Sequence, residues 1–203
     1  MNELKEQFGD IDIYLFDQLL KGRFQSCKRV ADLGCGKGRN LIYFLKNGHE
    51  VYGIDNNPDA ICEVQSLAAG INTKTATEQF IVGNIDRYLP FENGSFDLVI
   101  CNAVLHFAKD KTHFEEMLKA AWSLLKPGGY LFARLATDIG IKNLVMPLSD
   151  GRFLLPDGSE RYLLSVEMIA EYNLELNATA YEPLKTTVVD NLRSMTSWCI
   201  QKN

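Results

Sequence analysis

No stretch of the 203-residue chain is apolar for long enough to cross a bilayer, which takes about 20 residues, and no basic start followed by an apolar core marks a leader. A cytoplasmic protein with no membrane partner is expected. Basic residues are in the minority: Lys and Arg number 21 against 26 acidic residues, for a formal charge of −5. Without a cationic stripe to hold a phosphate backbone, nucleic acid is not an expected partner. The five cysteines, Cys27, Cys35, Cys62, Cys101 and Cys199, include no C-x-x-C pair and none near a histidine at metal-ligand spacing. Reduced thiols and no metal site are the expectation. Internal repeats and low-complexity linkers are missing as well. What is present, with 46% apolar residues, suffices for one core that needs no disulfide or metal staple. A single domain over 1–203 is expected.

Apolar runs with strand character alternate with helical ones, the pattern of an α/β sheet with right-handed crossovers. Strands are predicted over 29–33, 50–55, 79–83, 96–101 and 130–136. Helices are predicted over 38–47, from Asn57-Pro58 onward, over 112–125 behind a Thr112-x-x-Glu115 capping box, and over 166–172 behind Ser165. Two β-rich runs at 185–189 and 195–201, joined around Asp190-Asn191, predict a terminal antiparallel hairpin.

The most informative segment is Val30-Ala31-Asp32-Leu33-Gly34-Cys35-Gly36-Lys37-Gly38-Arg39-Asn40. Glycines at the end of a strand let a backbone approach a ligand, because a Cβ there would fill the space or forbid a positive φ. Nineteen residues after Gly36, Asp55 ends a second apolar run, where its carboxylate can accept from the two hydroxyls of a ribose. A dinucleotide site would show G-x-G-x-x-G before a helix facing a pyrophosphate. Here the spacing is Gly34-x-Gly36-x-Gly38, which favours a ligand without phosphates.

This combination resembles the class I S-adenosylmethionine-dependent methyltransferases, over roughly residues 28–137 and 165–201. The resemblance implies a Rossmann-like, doubly wound, seven-stranded sheet, mostly parallel with an antiparallel last strand. It implies that Asp32, Gly34, Cys35, Gly36 and Gly38 pack against the amino-acid end of the cofactor and that Asp55 and Asn56 meet its ribose. After the third strand, the position of an acid that reads adenine holds Asn84, a neutral acceptor, with the Ile85 backbone beside it. Cys101 and Asn102, at the end of the fourth strand, would face the methionine part. The Gly-x-Gly-Arg-Asn ending is similar to that of the tellurite-resistance methyltransferases, where Arg39 and Asn40 would lie near the methionine carboxylate.

His106 lies in the loop after the fourth strand and is a candidate base, since an unperturbed imidazole titrates near 6.5. His49 and His113 read as solvated. Asp97, before an apolar strand, reads as a structural acceptor of backbone amides. Outside the shared region, residues 1–27 are expected to form a lid with Tyr14 over the cofactor, and 138–164 a substrate-side insertion. In that insertion Pro156-Asp157-Gly158 predicts a turn between two short strands. Arg134, Arg152, Arg161 and Arg193 are candidate contacts for an anionic substrate. The expected activity is in-line methyl transfer from S-adenosylmethionine, leaving S-adenosylhomocysteine, to a small-molecule acceptor. Two alternatives stand beside it: a non-catalytic protein binding S-adenosylmethionine or S-adenosylhomocysteine, and an NAD-dependent oxidoreductase.

Overall fold

The computed structural model describes residues 3–72, 77–86 and 88–203. Two short helices, α1 (Glu3–Phe8) and α2 (Ile13–Leu20), lead into β1 (Arg29–Leu33), α3 (Ile42–Lys46), β2 (Glu50–Asp55), α4 (Pro58–Ile71), β3 (Phe80–Val82), β4 (Phe96–Asn102), α5 (Lys111–Leu124) and β5 (Leu125–Ala136). The strands β6 (Met146–Pro147), β7 (Arg152–Leu154) and β8 (Glu160–Tyr162) follow, then α6 (Val166–Glu175), β9 (Ala178–Ala180), β10 (Lys185–Val189) and β11 (Arg193–Lys202).

The main sheet runs β10-β11-β5-β4-β1-β2-β3. β1 pairs in parallel with β2 and β4, and β4 with β5; β11 runs antiparallel to both β5 and β10. The expected seven-strand order with a reversed last strand is therefore present. An eighth strand, β9, was not anticipated; it pairs with β11 at Ile200↔Ala180, beyond the stretch of β11 that β10 covers. Its Ala178-Thr179-Ala180 sequence carries too little apolar alternation to read as a strand alone.

The sheet is covered on both faces, as a parallel sheet requires. Alternate residues of β1 enter different apolar clusters: Ala31 and Leu33 join Phe96, Phe114, Leu131 and Trp198, while Val30 joins Leu15, Phe24, Phe44 and Phe132. Each such side chain contributes roughly 1.5–3 kcal/mol by leaving water. Asp97 ties β4 to the start of β1, accepting from the backbone N–H groups of Lys28 and Arg29, both at 2.9 Å, and from Lys126 Nζ at 2.9 Å. That is the structural role expected of it.

Three local expectations need correction. The helix predicted over 38–47 is only Ile42–Lys46, because Gly38 takes φ +82° and the chain makes tight turns from Cys35 O to Gly38 N and from Gly38 O to Leu41 N. The cap of α5 is Asp110, whose carboxylate accepts from His113 N at 2.7 Å, rather than Thr112; a carboxyl oxygen two residues earlier takes the free N–H in place of the hydroxyl. The strand predicted to begin at 130 is joined by Leu125, which pairs with Phe96 before the register shifts across the glycines. Within 138–164, β7 and β8 flank the Pro156-Asp157-Gly158 turn as expected, and β6 makes the pair a three-stranded sheet. The terminal hairpin turns where Asp190 and Asn191 take φ of 49° and 54°, values these residue types tolerate.

The N-terminal segment, described from Glu3 onward, is fastened from both ends. Asp12 Oδ1 caps α2 at Tyr14 N (2.9 Å), its Oδ2 accepts from Arg134 at 3.0 Å, and its backbone N–H donates to Asn40 Oδ1 at 3.1 Å. Farther along, Asp17 and the buried Glu182 share Lys21 and Lys185, which joins α2 to the β9–β10 edge. Asp12→Ala removes the cap and strands a largely buried guanidinium. A loss of about 3 kcal/mol is expected in urea unfolding, with Asp12→Asn, which keeps the cap acceptor, costing less.

Candidate functional site

β1, β2 and β4 end at the same edge of the sheet, and their hydrogen bonds continue into the loops. Gly34 N and Cys35 N both donate to Ile54 O, at 2.8 and 3.1 Å. Asp55 then holds two loops: Oδ2 accepts from Gly36 N at 2.8 Å and Oδ1 from Asn57 N at 2.9 Å. Each oxygen keeps a lone pair for a further donor. Gly34 and Gly36 take φ of +76° and +51°, and a Cβ on Gly34 would stand 2.8 Å from Val104 Cγ2. Glycine is required there on both counts.

Two cavities meet at Gly34. One, of about 490 Å³, is lined by Gly34, Asp55, Asn56, Asn84, Ile85 and Val104, among others. The second, of about 630 Å³, is lined by Gly34, Cys35, Gly36, Arg39, Asn40 and Asn102, among others. Both therefore collect residues that the sequence singles out. Beneath the second, Asp32 is 1% exposed, and neither of its carboxylate oxygens has a hydrogen-bond partner; the amide nitrogen and oxygen of buried Asn102 are also unpartnered. Burial pushes the Asp32 carboxyl up to about 7, with Arg39 opposing and Asp55 adding to the rise. A cationic amino group is the complement that the Asp32 oxygens and the Asn102 amide oxygen lack, and the Asn102 N–H groups remain for an acceptor such as a carboxylate.

A third cavity, of about 290 Å³, adjoins the first through Ala103, and His106, Arg134, Asp157, Arg161 and Arg193 line it. Ala103 takes φ +60°, a conformation costing a non-glycine residue roughly 1–2 kcal/mol, and its N–H is fixed by Arg134 O at 2.7 Å. No sequence signal marks it, because alanine does not advertise a left-handed turn.

His106 does not have the geometry of the expected base. It is 4% exposed, and its Nδ1 accepts from Ala136 N at 3.2 Å. The neutral ring then carries its proton on Nε2, so the lone pair that a base needs is engaged by the backbone. Burial, followed by the charges of Arg161 and Arg134, holds the imidazole down to about 4. It is a neutral donor at physiological pH.

Other singled-out residues have structural partners or positions that differ from those expected. Cys101 is wholly buried in the core, where burial raises its thiol pKa, and a Cβ on Gly38 would meet Val64 of α4 at 2.5 Å, so Gly38 serves packing. Tyr14 hydrogen-bonds Thr187 and lies under the Arg134 guanidinium, 5.2 Å from ring centre to Cζ. The Asn40 side-chain oxygen is spent on Asp12 N, and Arg39 reaches Asp12 at 4.0 Å. His113, expected to be solvated, lines the first cavity and accepts from Lys109 N at 3.1 Å.

A glycine-lined edge at the switch of a 3-2-1-4-5 strand order defines the Rossmann-like class to which the S-adenosylmethionine-dependent methyltransferases belong. The chain belongs to the methyltransferase domain family, which matches residues 31–133. It is 33% identical over 102 residues to an uncharacterized methyltransferase of Synechocystis, covering 50% of this chain and 44% of that protein. It is 33% identical over 138 residues to a ubiquinone biosynthesis O-methyltransferase of Xanthomonas euvesicatoria, covering 66% and 54%. The matches thus span about half the length of these relatives. A solved SAM-dependent methyltransferase from Methanosarcina mazei has the same fold, with a TM-score of 0.71 at 22% identity over 91% of this chain and 96% of that one.

Two measurements follow from the buried groups. Because the folded pKa of Asp32 is raised to about 7, stability is lost as pH rises from the ordinary carboxylate range through that value. Asp32→Asn removes this slope, and at pH 8 the variant is expected to unfold at higher urea than the parent, by about 2–4 kcal/mol; equal stability at pH 8 contradicts the assignment. For His106, ¹⁵N NMR is expected to show the Nε2–H tautomer down to about pH 4, and protonation near 6.5 would refute it.

Proposed function

We propose that the chain is an S-adenosylmethionine-dependent methyltransferase acting on a small-molecule acceptor. The observation that carries this reading is the pair of cavities meeting at Gly34, with Asp55 on one side and the orphaned acceptors of Asp32 and Asn102 on the other. Asp55, Asn56, Asn84 and Ile85 would hold the nucleoside end. Asp32, Asn102 and the Gly34–Gly36 backbone would hold the amino-acid end. When bound, the cofactor supplies a methyl group on a sulfonium, which leaves the protein chiefly to align the acceptor and exclude water.

The small cavity beyond Ala103 is the acceptor site in this reading. Its size suits a low-molecular-weight molecule, and the Xanthomonas relative bears the name of an O-methyltransferase of ubiquinone biosynthesis. A nicotinamide dinucleotide is disfavoured, because the helix after the glycine loop has only five residues and begins at Ile42, well past the turn where a pyrophosphate would need its N-terminus.

Calorimetric titration with S-adenosylhomocysteine is expected to give micromolar binding, weakened at least tenfold in Asp55→Ala, with no heat from NAD. Asp32→Asn should weaken binding comparably although it stabilises the free protein. Between pH 5 and 6.5 binding should release a proton as Asp32 ionises against the ligand, seen as heat that depends on the buffer. NAD binding in place of S-adenosylhomocysteine would overturn the reading. Turnover of labelled S-adenosylmethionine with any acceptor separates an enzyme from a protein that only binds the cofactor.

A further inference from the structure

The third cavity has a chemical character of its own. Arg134, Arg161 and Arg193 all line it, with one carboxylate, Asp157, on the turn at its rim. The Arg193 side chain makes no hydrogen bond or ion pair among the described residues, although its charge, like that of Arg161, acts on Asp157. Arg134 gives one N–H to Asp12 at 3.0 Å, but its Nε is buried without an acceptor. Arg161 lies on the Phe107 ring, Cζ 4.7 Å from the centroid, and spends Nη1 on Glu160 O at 2.7 Å. Asp157 Oδ1 is already taken by the backbone N–H and hydroxyl of Ser159, at 2.9 and 2.6 Å.

Even with Asp157 and Asp12 set against the three guanidinium groups, one positive charge is uncompensated. His106 adds a neutral N–H donor and no acceptor that a proton could reach, since its Nδ1 is held by Ala136 N. Apart from Asp157, the titratable side chains that line the cavity thus offer hydrogen. A cationic guest would be repelled, and a neutral one would accept only the weaker bonds of an uncharged oxygen and leave the excess positive charge uncompensated. An oxyanion accepts from several at once, and guanidinium forks match it in pairs.

We infer that the cavity beyond Ala103 is an oxyanion receptor, and that the acceptor of this protein is a small molecule bearing a carboxylate or phosphate group held by Arg161, Arg193 and Arg134. This rests on the methyltransferase reading for the word acceptor, but the receptor itself does not. His106 is then a positioning residue that donates to the guest. Five sequence segments meet to build the receptor: the β4 exit, β5, the insertion hairpin, the end of β10 and the start of β11. This gives the 138–164 insertion a specific task, since Asp157, Ser159 and Arg161 all belong to it.

The test uses malonate and inorganic phosphate as probes, with malonamide as the neutral counterpart of malonate, titrated into the full chain by calorimetry and by NMR. Binding of malonate or of phosphate in the millimolar range is expected, with no binding of malonamide; which anion binds identifies the carboxylate or the phosphate as the guest group. Arg193→Gln and Arg161→Gln should each weaken that anion at least fivefold. Arg152→Gln, at an arginine that pairs with Glu160 at 3.4 Å and does not line the cavity, should change it less than twofold. The proposal is overturned if neither anion binds, if malonamide binds as well as malonate, or if Arg152→Gln weakens binding as much as the other two. S-adenosylhomocysteine titrated into the same samples reports folding of the variants and tests the cofactor reading separately. Normal S-adenosylhomocysteine binding without anion binding sinks the receptor alone, and the reverse result sinks the cofactor reading alone.

Discussion

The hydrogen bonds of one carboxylate organise the ligand edge of this protein. Asp55 accepts from Gly36 N and Asn57 N, so one side chain joins the loop after β1 to the start of α4 at the end of β2, beside the backbone bonds of Gly34 and Cys35 to Ile54 O. The arrangement depends on parallel pairing on both sides of β1, which sets Leu33 beside Ile54 and Asp32 beside Ile100. Without that register the glycines would have no fixed surface to line. With it, the backbone of the loop stands open beside two cavities, and a lone pair on each Asp55 oxygen is left over for a guest.

The same edge stores unfavourable energy in two places. Asp32 and Asn102 keep polar atoms buried without partners, and Ala103 holds a left-handed backbone. Neither helps the free protein fold. Both lie next to the cavities, and a structure that tolerates such costs does so where a ligand relieves them. The N-terminal segment carries part of the compensation. Asp12 links α2, the Arg39–Asn40 turn and Arg134 of β5, so the N-terminal segment braces residues that line two of the cavities.

Much of the fold was legible in the chain. β1 and β2 fall where their apolar runs predict, because a doubly covered parallel strand must be apolar nearly throughout, and the Asn57-Pro58 and Ser165 starts of α4 and α6 are local chemistry. The start of α3 was not legible: a helical apolar period from 38 onward hid a glycine whose left-handed backbone keeps the chain in turns until Ile42. The candidate site was legible as a set of neighbouring residues where it is contiguous. Gly34, Cys35, Gly36, Asp55, Asn56, Asn84 and Ile85 belong to short motifs at strand ends, and the structure brings them around two adjoining cavities.

The third cavity was visible only as scattered arginines. Arg134, Arg161 and Arg193 sit on three separate elements and converge because β11 inserts against β5 while the insertion hairpin folds back over the same edge; Arg152, of identical chemistry, points to Glu160 instead. His106 shows the same division. Its presence in the loop after β4 is a fact of sequence, but its tautomer is decided by the Ala136 N–H, a group thirty residues away. Strand pattern, glycine spacing and caps are set by neighbours along the chain, so the sequence alone determined the sheet and the cofactor-type edge. Charge state, orphaned acceptors and the character of the third cavity depend on burial and long-range contacts, which only the tertiary structure decided.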